Sequence, residues 1–188
     1  GAELLVRIGV GLDQWSERLL AAAGTPPATL TFLDLPGAHP RAWVDGGGHA
    51  HAVAGAGNAD AGEIDPHIWL DPTRVRDTLV PAIADALSAA DPAGAELYRE
   101  RARVFATRLG ALDSEIHDRL QGIKARAFIA YHDTWRYFAE RYELEQVASI
   151  EAYAGDEPTA AELGRLVTLA RGRGITAVVM EPQLGERV

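Results

Sequence analysis

The chain has 188 residues, 47% of them hydrophobic, no cysteine and a formal net charge of -9. That composition can bury one good core or two small ones, and it excludes thiolate metal sites and disulfides. The acidic balance, with Lys124 the sole lysine, argues against nucleic acid or an anionic membrane surface as partner and suits a small cation.

Glu3-Leu-Leu-Val-Arg-Ile8 reads as a short buried strand, with Gly9 and Gly11 making the turn after it. A helix follows, with Asp13 as its cap, Trp15, Leu19 and Leu20 on its inner face and Gly24 at its end. Pro26 and Pro27 break the chain before Thr29 to Leu33, which alternates as a strand does. From Pro36 to Glu63 no apolar period survives; this Gly- and Ala-rich stretch, with His39, His49 and His51, reads as a mobile surface loop. Order resumes at Asp71-Pro72, a cap followed by proline at the first helical position, ahead of Val75, Leu79, Val80, Ile83 and Leu87.

The longest periodic stretch runs from Asp91 to Gly122. Asp91 and Pro92 suit its start, and Gly122 in a left-handed conformation would close it. Between them Tyr98, Ala102, Phe105, Leu109, Leu112, Ile116, Leu120 and Ile123 recur at spacings of three and four, one continuous stripe. Roughly 30 residues at 1.5 Å each give a helix of about 45 Å, long enough to serve as a strut between two lobes. Beyond it the pattern alternates. Ala127 to Ala130 reads as a strand, Asp133 to Tyr142 as a helix with Asp133 as its cap, Gln146 to Ile150 as a strand, Thr159 to Arg173 as a helix capped by Thr159 and closed by Gly174, and Ile175 to Met180 as a strand. Such alternation predicts parallel sheets with right-handed crossovers. The predicted fold is α/β, two small lobes with parallel sheets: residues 1–90 and 123–188, each an incomplete lobe, joined by one long rigid helix over 91–122.

Two stretches carry possible chemistry. In Asp65-Pro66-His67-Ile68-Trp69-Leu70-Asp71-Pro72 the prolines stiffen the backbone around His67, just ahead of a helix start. Such rigidity suits a metal ligand; the competing reading packs His67 under Trp69 with its ring nitrogens satisfied by backbone. In Tyr131-His132-Asp133-Thr134-Trp135-Arg136-Tyr137-Phe138, His132 sits where a parallel strand gives way to a helix, the edge at which open α/β sheets bind ligands. It is either a metal ligand or a group that supports one. Glu181, at the end of the last predicted strand, either contributes a carboxylate to a metal or its ligands or caps a following helix. Glu151 is a weaker candidate of the same kind, and His117 on the long helix is placed to pair with Asp113.

These motifs, together with Val178-Val-Met-Glu-Pro-Gln183, stand in an order and at separations that resemble the zinc and manganese solute-binding proteins of bacterial ABC transporters. The resemblance covers nearly the whole chain. It implies a receptor without enzymatic activity, periplasmic or lipid-anchored on the outer face of the cytoplasmic membrane, that holds one metal ion between two lobes and delivers it to the membrane permease. Of the four usual ligands two carry over, to His67 and His132. The first family histidine is expected upstream of Gly1 and the last carboxylate downstream of Val188, so the chain reads as a middle portion. The stretch from Pro36 to Glu63 resembles the histidine-rich insert of the zinc branch in thin form, with His49 and His51 as possible transient cation ligands. Two imidazoles favour Zn(II) over Mn(II), which prefers more carboxylate oxygen. Alternatives are a helical-backbone receptor for a larger siderophore- or cobalamin-like ligand, a surface adhesin on the same scaffold and, least favoured, a zinc hydrolase, for which no His-Glu-x-x-His pairing is present.

Overall fold

The computed structural model describes residues 2–42, 64–151 and 158–181. They fall into two compact units, residues 2–41 with 64–117 in the first and residues 118–151 with 158–181 in the second. The part of the predicted loop beyond Ala42, with His49 and His51, lies outside the described residues.

In the first unit, β1 (Leu4–Arg7) pairs in parallel with β2 (Ala28–Thr31), Leu5 opposite Thr29. The turn after β1 needs glycine. Gly9 has φ 109°, and a Cβ there would meet the Thr31 methyl at 2.8 Å. Asp13 does not cap α1 (Trp15–Ala22). Its carboxylate turns back to accept the Ile8 and Gly9 amides of this turn, and Gln14 takes the cap position without a side-chain bond. With that start the helix buries Ser16, whose hydroxyl donates to the Asp13 carbonyl at 2.7 Å, and leaves Trp15 60% and Leu19 63% exposed, contrary to the predicted inner face. The helix also stops at Ala22, short of Gly24. Strand β2 is shorter than predicted because Phe32–Asp34 turns into a 3-10 helix, which buries Phe32 and Leu33; Ala38, Ile68, Val80 and Ala84 are further buried apolar residues of this unit.

Asp71 and Pro72 start α2 (Pro72–Arg74) as predicted, the Asp71 side chain accepting from the Thr73 amide at 2.9 Å. A π-helical turn, Val75–Leu79, leads into α3 (Val80–Ala90). Pro81 explains the widened turn: it has no amide to donate to the residue four back, so the ladder shifts register there. Asp91 then accepts from the Gly94 amide and, at 2.8 Å, from the Tyr98 hydroxyl, and α4 (Ala95–Gln121) runs for 27 residues.

The long helix is therefore present, with two differences from expectation. Gly122 is not left-handed; the Ile123 amide donates to the Leu120 carbonyl at 3.2 Å, a tight final turn. The apolar stripe is only half-buried at Tyr98, Ala102, Leu109, Ile116 and Leu120, and Phe105, Leu112 and Ile123 are exposed. Its one buried residue is Asp113, whose charge joins those of Asp77 and Asp71 in holding the Arg76 guanidinium above its ordinary value; the hydrogen bond from Arg76 to Asp77 is the largest cause.

The second unit is a three-stranded parallel sheet of β3 (Ala127–His132), β4 (Glu145–Glu151) and β5 (Val178–Val179), with β3 in the middle. Strand alternation gives each face its own core. Phe128 and Ala130 pack with Ala139, Trp135 and Val179, while Ile129 packs with Val147, Ala148, Leu166, Leu169 and Ile175. Between Phe128 and Ile129 the register with β4 slips, Phe128 facing Gln146 and Ile129 facing Ala148. Two helices cover the sheet, α5 (Arg136–Arg141) and α6 (Ala160–Arg173). The second follows its sequence signals closely: Thr159 and Glu162 form a reciprocal capping box, and Gly174 at φ 65° ends it.

Candidate metal centre

In the first unit the backbone between Asp65 and Asp71 is built to hold one ring. Pro66 interrupts the chain between Asp65 and His67, and the Asp65 carboxylate folds back across it. Its Oδ1 accepts the His67 amide at 2.9 Å and the His67 Nδ1 at 2.8 Å. Asp65 is 0% and His67 7% exposed. A 3-10 turn, Ile68–Leu70, follows at once, with Ile68 fully buried and the Trp69 ring 5.3 Å from the imidazole at 59°. Arg74 ties this segment to the preceding chain, its guanidinium donating to Asp71 at 3.2 Å and to the carbonyls of Ala38 and His39 at 2.6 and 2.9 Å. The packing of His67 against Trp69 is thus real, and a buried carboxylate, that of Asp65, is a partner of its ring. A neutral imidazole that donates from Nδ1 presents its lone pair at Nε2, which suits a metal ligand.

In the second unit the carboxyl ends of the three parallel strands bring His132, Glu151 and Glu181 to one edge. His132 is the last residue of β3, paired in register with Glu151 at the end of β4 and half-buried. Glu151 is buried, its Oε1 accepting the Tyr131 hydroxyl at 2.8 Å. Glu181 stands two residues past β5. Its Oε1 accepts from the Thr134 hydroxyl at 3.3 Å, and its Oε2 is buried with no hydrogen-bond partner among the described residues. An orphaned buried carboxylate oxygen fits a group that supplies positive charge, as a metal or its ligands would.

Asp133 does not cap α5, which starts three residues later with Trp135 in the cap position. It is almost wholly buried and serves as the hub of a clamp: Arg136 donates to its two oxygens at 3.1 and 3.0 Å, and the Gln146 amide group donates to Oδ1. The other end of Gln146 accepts the Trp135 amide at 3.1 Å, closing the turn that follows His132 onto β4. This hub was missed in the sequence, where an aspartate before a helix reads first as a cap. Among the described residues no group of three or more histidine, aspartate or glutamate side chains is gathered to hold a metal ion. Nor is any described helix long and apolar enough to cross a membrane.

One histidine held against a buried carboxylate and another at the carboxyl edge of a parallel sheet, in a chain without cysteine, are nitrogen groups of a kind that can bind a divalent cation. The comparisons with known proteins agree and make it specific. The chain belongs to the family of ZnuA, the periplasmic component A of the zinc-uptake complex, whose model matches residues 1–188. The high-affinity zinc uptake system protein ZnuA of Paracoccus denitrificans is 32% identical over 182 residues, covering 86% of this chain and 55% of its own length. The zinc-binding lipoprotein AdcA of Streptococcus pneumoniae is 31% identical over 185 residues, covering 96% of this chain and 35% of its own. A crystal structure of ZnuA superposes with a TM-score of 0.81 at 32% identity, covering 98% of this chain and 65% of the other. The chain therefore spans about half or less of the length of these curated relatives. The family is one of metal-binding transport receptors rather than enzymes, and the zinc branch of the resemblance is the one that holds.

Proposed function

We propose that this chain is part of an extracytoplasmic receptor that captures Zn(II) and delivers it to the permease of an ABC importer, without catalysing a reaction. His67 and His132 are two ligands to one zinc ion. Glu181 either joins them as a carboxylate ligand or accepts a hydrogen bond from a ligand, and His49 and His51 form a secondary capture point. The observation that carries the reading is the family match over the full 188 residues. The zinc named in both relatives agrees with imidazole ligands, which suit zinc better than manganese. A periplasmic component and a lipoprotein among the same relatives support a location in the periplasm or on a lipid anchor at the outer face of the cytoplasmic membrane.

Zinc titration of the intact protein, of His67→Ala and of His132→Ala tests this reading. Each substitution is expected to weaken binding at least tenfold, since a closed tetrahedral site loses a quarter of its ligands. Retention of full affinity by both variants overturns the site. Equal competition by manganese keeps the site and overturns the choice of metal.

A further inference from the structure

We infer that Asp65 is a positioning residue for metal capture: it fixes His67 in the Nδ1–H tautomer and aims Nε2 as the coordinating atom. The inference rests on the proposal that His67 is a ligand and goes beyond it, since neither the family match nor the motif says which ring nitrogen binds or what sets it.

Three features of the geometry support it. First, the contact is short and doubled. One oxygen, Asp65 Oδ1, accepts from both the backbone amide and Nδ1 of His67, at 2.9 and 2.8 Å, so carboxylate, backbone and ring are locked together and both side-chain torsions of the histidine are set. Second, the contact is shielded. Both side chains are buried, where a hydrogen bond is electrostatically stronger than in water and where an unmet donor is expensive. Third, the ring has little room to turn. Pro66 restricts the backbone before it, Ile68 is buried after it, and the tilted Trp69 ring stands 5.3 Å from it. An isolated neutral imidazole in water favours the Nε2–H form, which would put a proton on the nitrogen needed for zinc. Accepting the proton at Nδ1 reverses that preference before the metal arrives, so no tautomer shift or ring rotation has to accompany binding. Partners of this kind commonly affect metal affinity by 10- to 100-fold.

The test uses the intact protein and reads two quantities: the tautomer of His67 in the metal-free protein, from long-range proton–nitrogen NMR correlations, and zinc affinity by competition with a chelator. Wild type is expected to show Nδ1–H. Asp65→Ala is expected to move the ring toward Nε2–H and to weaken zinc binding about 10- to 100-fold. Asp65→Asn keeps an acceptor oxygen in the same place, so it is expected to keep the tautomer and restore most of the affinity. An Nε2–H ring in the wild type overturns the inference outright, and this reading stands even if Asp65→Ala fails to fold. If His67→Ala weakens zinc binding while Asp65→Ala does not, the positioning role fails and the ligand assignment survives. If His67→Ala leaves zinc affinity unchanged, the ligand assignment itself fails, and the role of Asp65 in zinc capture with it.

Discussion

The two candidate ligand histidines are held by different means. His67 is gripped directly, its own ring bonded to a buried carboxylate two residues earlier. His132 is placed indirectly, as the last rung of a parallel ladder, with the turn after it clamped by Asp133, Arg136 and Gln146. The first arrangement depends on one local contact and a stiff loop. The second depends on a sheet whose three strands come from distant parts of the chain. A side chain set by a local grip should be lost by changing one atom group, whereas one set by a sheet edge should tolerate local changes and respond to damage in the core beneath it.

The largest test of that contrast is a pair of core truncations. Ile68 is fully buried directly after His67, and Ile129 is buried in the middle of β3, three residues before His132. Ile68→Ala and Ile129→Ala are each expected to destabilise their own unit by about 2–5 kcal/mol, read as separate transitions in chemical denaturation. Ile129→Ala should also broaden or shift the NMR signals of His132 while leaving those of His67 in place. If either substitution has no effect on stability, the corresponding core assignment is wrong.

Next in size is the clamp. Arg136→Met removes two of the donors to the nearly fully buried Asp133 and leaves Gln146 as a partner, so a loss of about 1–3 kcal/mol is expected, the cost of an under-satisfied buried acceptor. Gln146→Leu should cost a similar amount because it also strands the Trp135 amide. Neither should alter the tautomer of His67. A change there would show that the two settings are not independent.

Sequence signals proved reliable where the chemistry is local. Asp71 with Pro72, and Thr159 and Gly174 at the two ends of α6, cap helices as predicted, because donor and acceptor lie within one turn of each other. The same residue type misled at Asp13 and Asp133. Each stands ahead of a helix, but a better partner exists elsewhere: the amides of a glycine turn for Asp13, and for Asp133 a glutamine thirteen residues on that only the β3–β4 pairing brings near. The stripe on α4 identified the helix but overstated its burial, since spacing reports which side chains share a face and not what covers that face. For His67 the decisive neighbour was visible. An aspartate two residues before a histidine, across a proline, was read for its stiffness, while its reach to the ring depends on a backbone conformation that spacing does not reveal.

Capping gives a smaller comparison between the units. Asp71 is buried and serves three donors, Thr73 through amide and hydroxyl and Arg74 through its guanidinium, whereas Thr159 caps an exposed helix start. Thr159→Ala should cost about 1 kcal/mol, and Asp71→Ala about 2, at the upper end of the range for caps. Equal losses in denaturation would mean that the Arg74 contact adds nothing.

The smallest effects expected are in pH dependence, and the units should respond at opposite ends of the scale. In the second unit, hydrogen bonds from the Thr159 hydroxyl and then its amide hold the Glu162 carboxyl below its ordinary value of 4.5. A lowered value means that the folded state favours the ionised form, so this contribution is fully present above the ordinary value and is lost as pH falls through the lowered one. In the first unit, the hydrogen bond to Asp91 holds the Tyr98 phenol above its ordinary value of 10.0. The folded state there favours the protonated form, so its contribution is present below that value and lost as pH rises through the raised one. The melting difference between wild type and Glu162→Gln should therefore be constant near neutrality and shrink on acidification below about pH 4.5, and that for Tyr98→Phe should shrink only on the alkaline side of about pH 10. Glu162 is exposed and Tyr98 only half-buried, so each difference should be small and the one at Glu162 should weaken further with added salt. A Glu162→Gln difference that grows on acidification would mean that the carboxylate is not the form the cap holds, and a Tyr98→Phe difference that does not shrink however far the pH rises would mean that the phenol proton given to Asp91 is not its source.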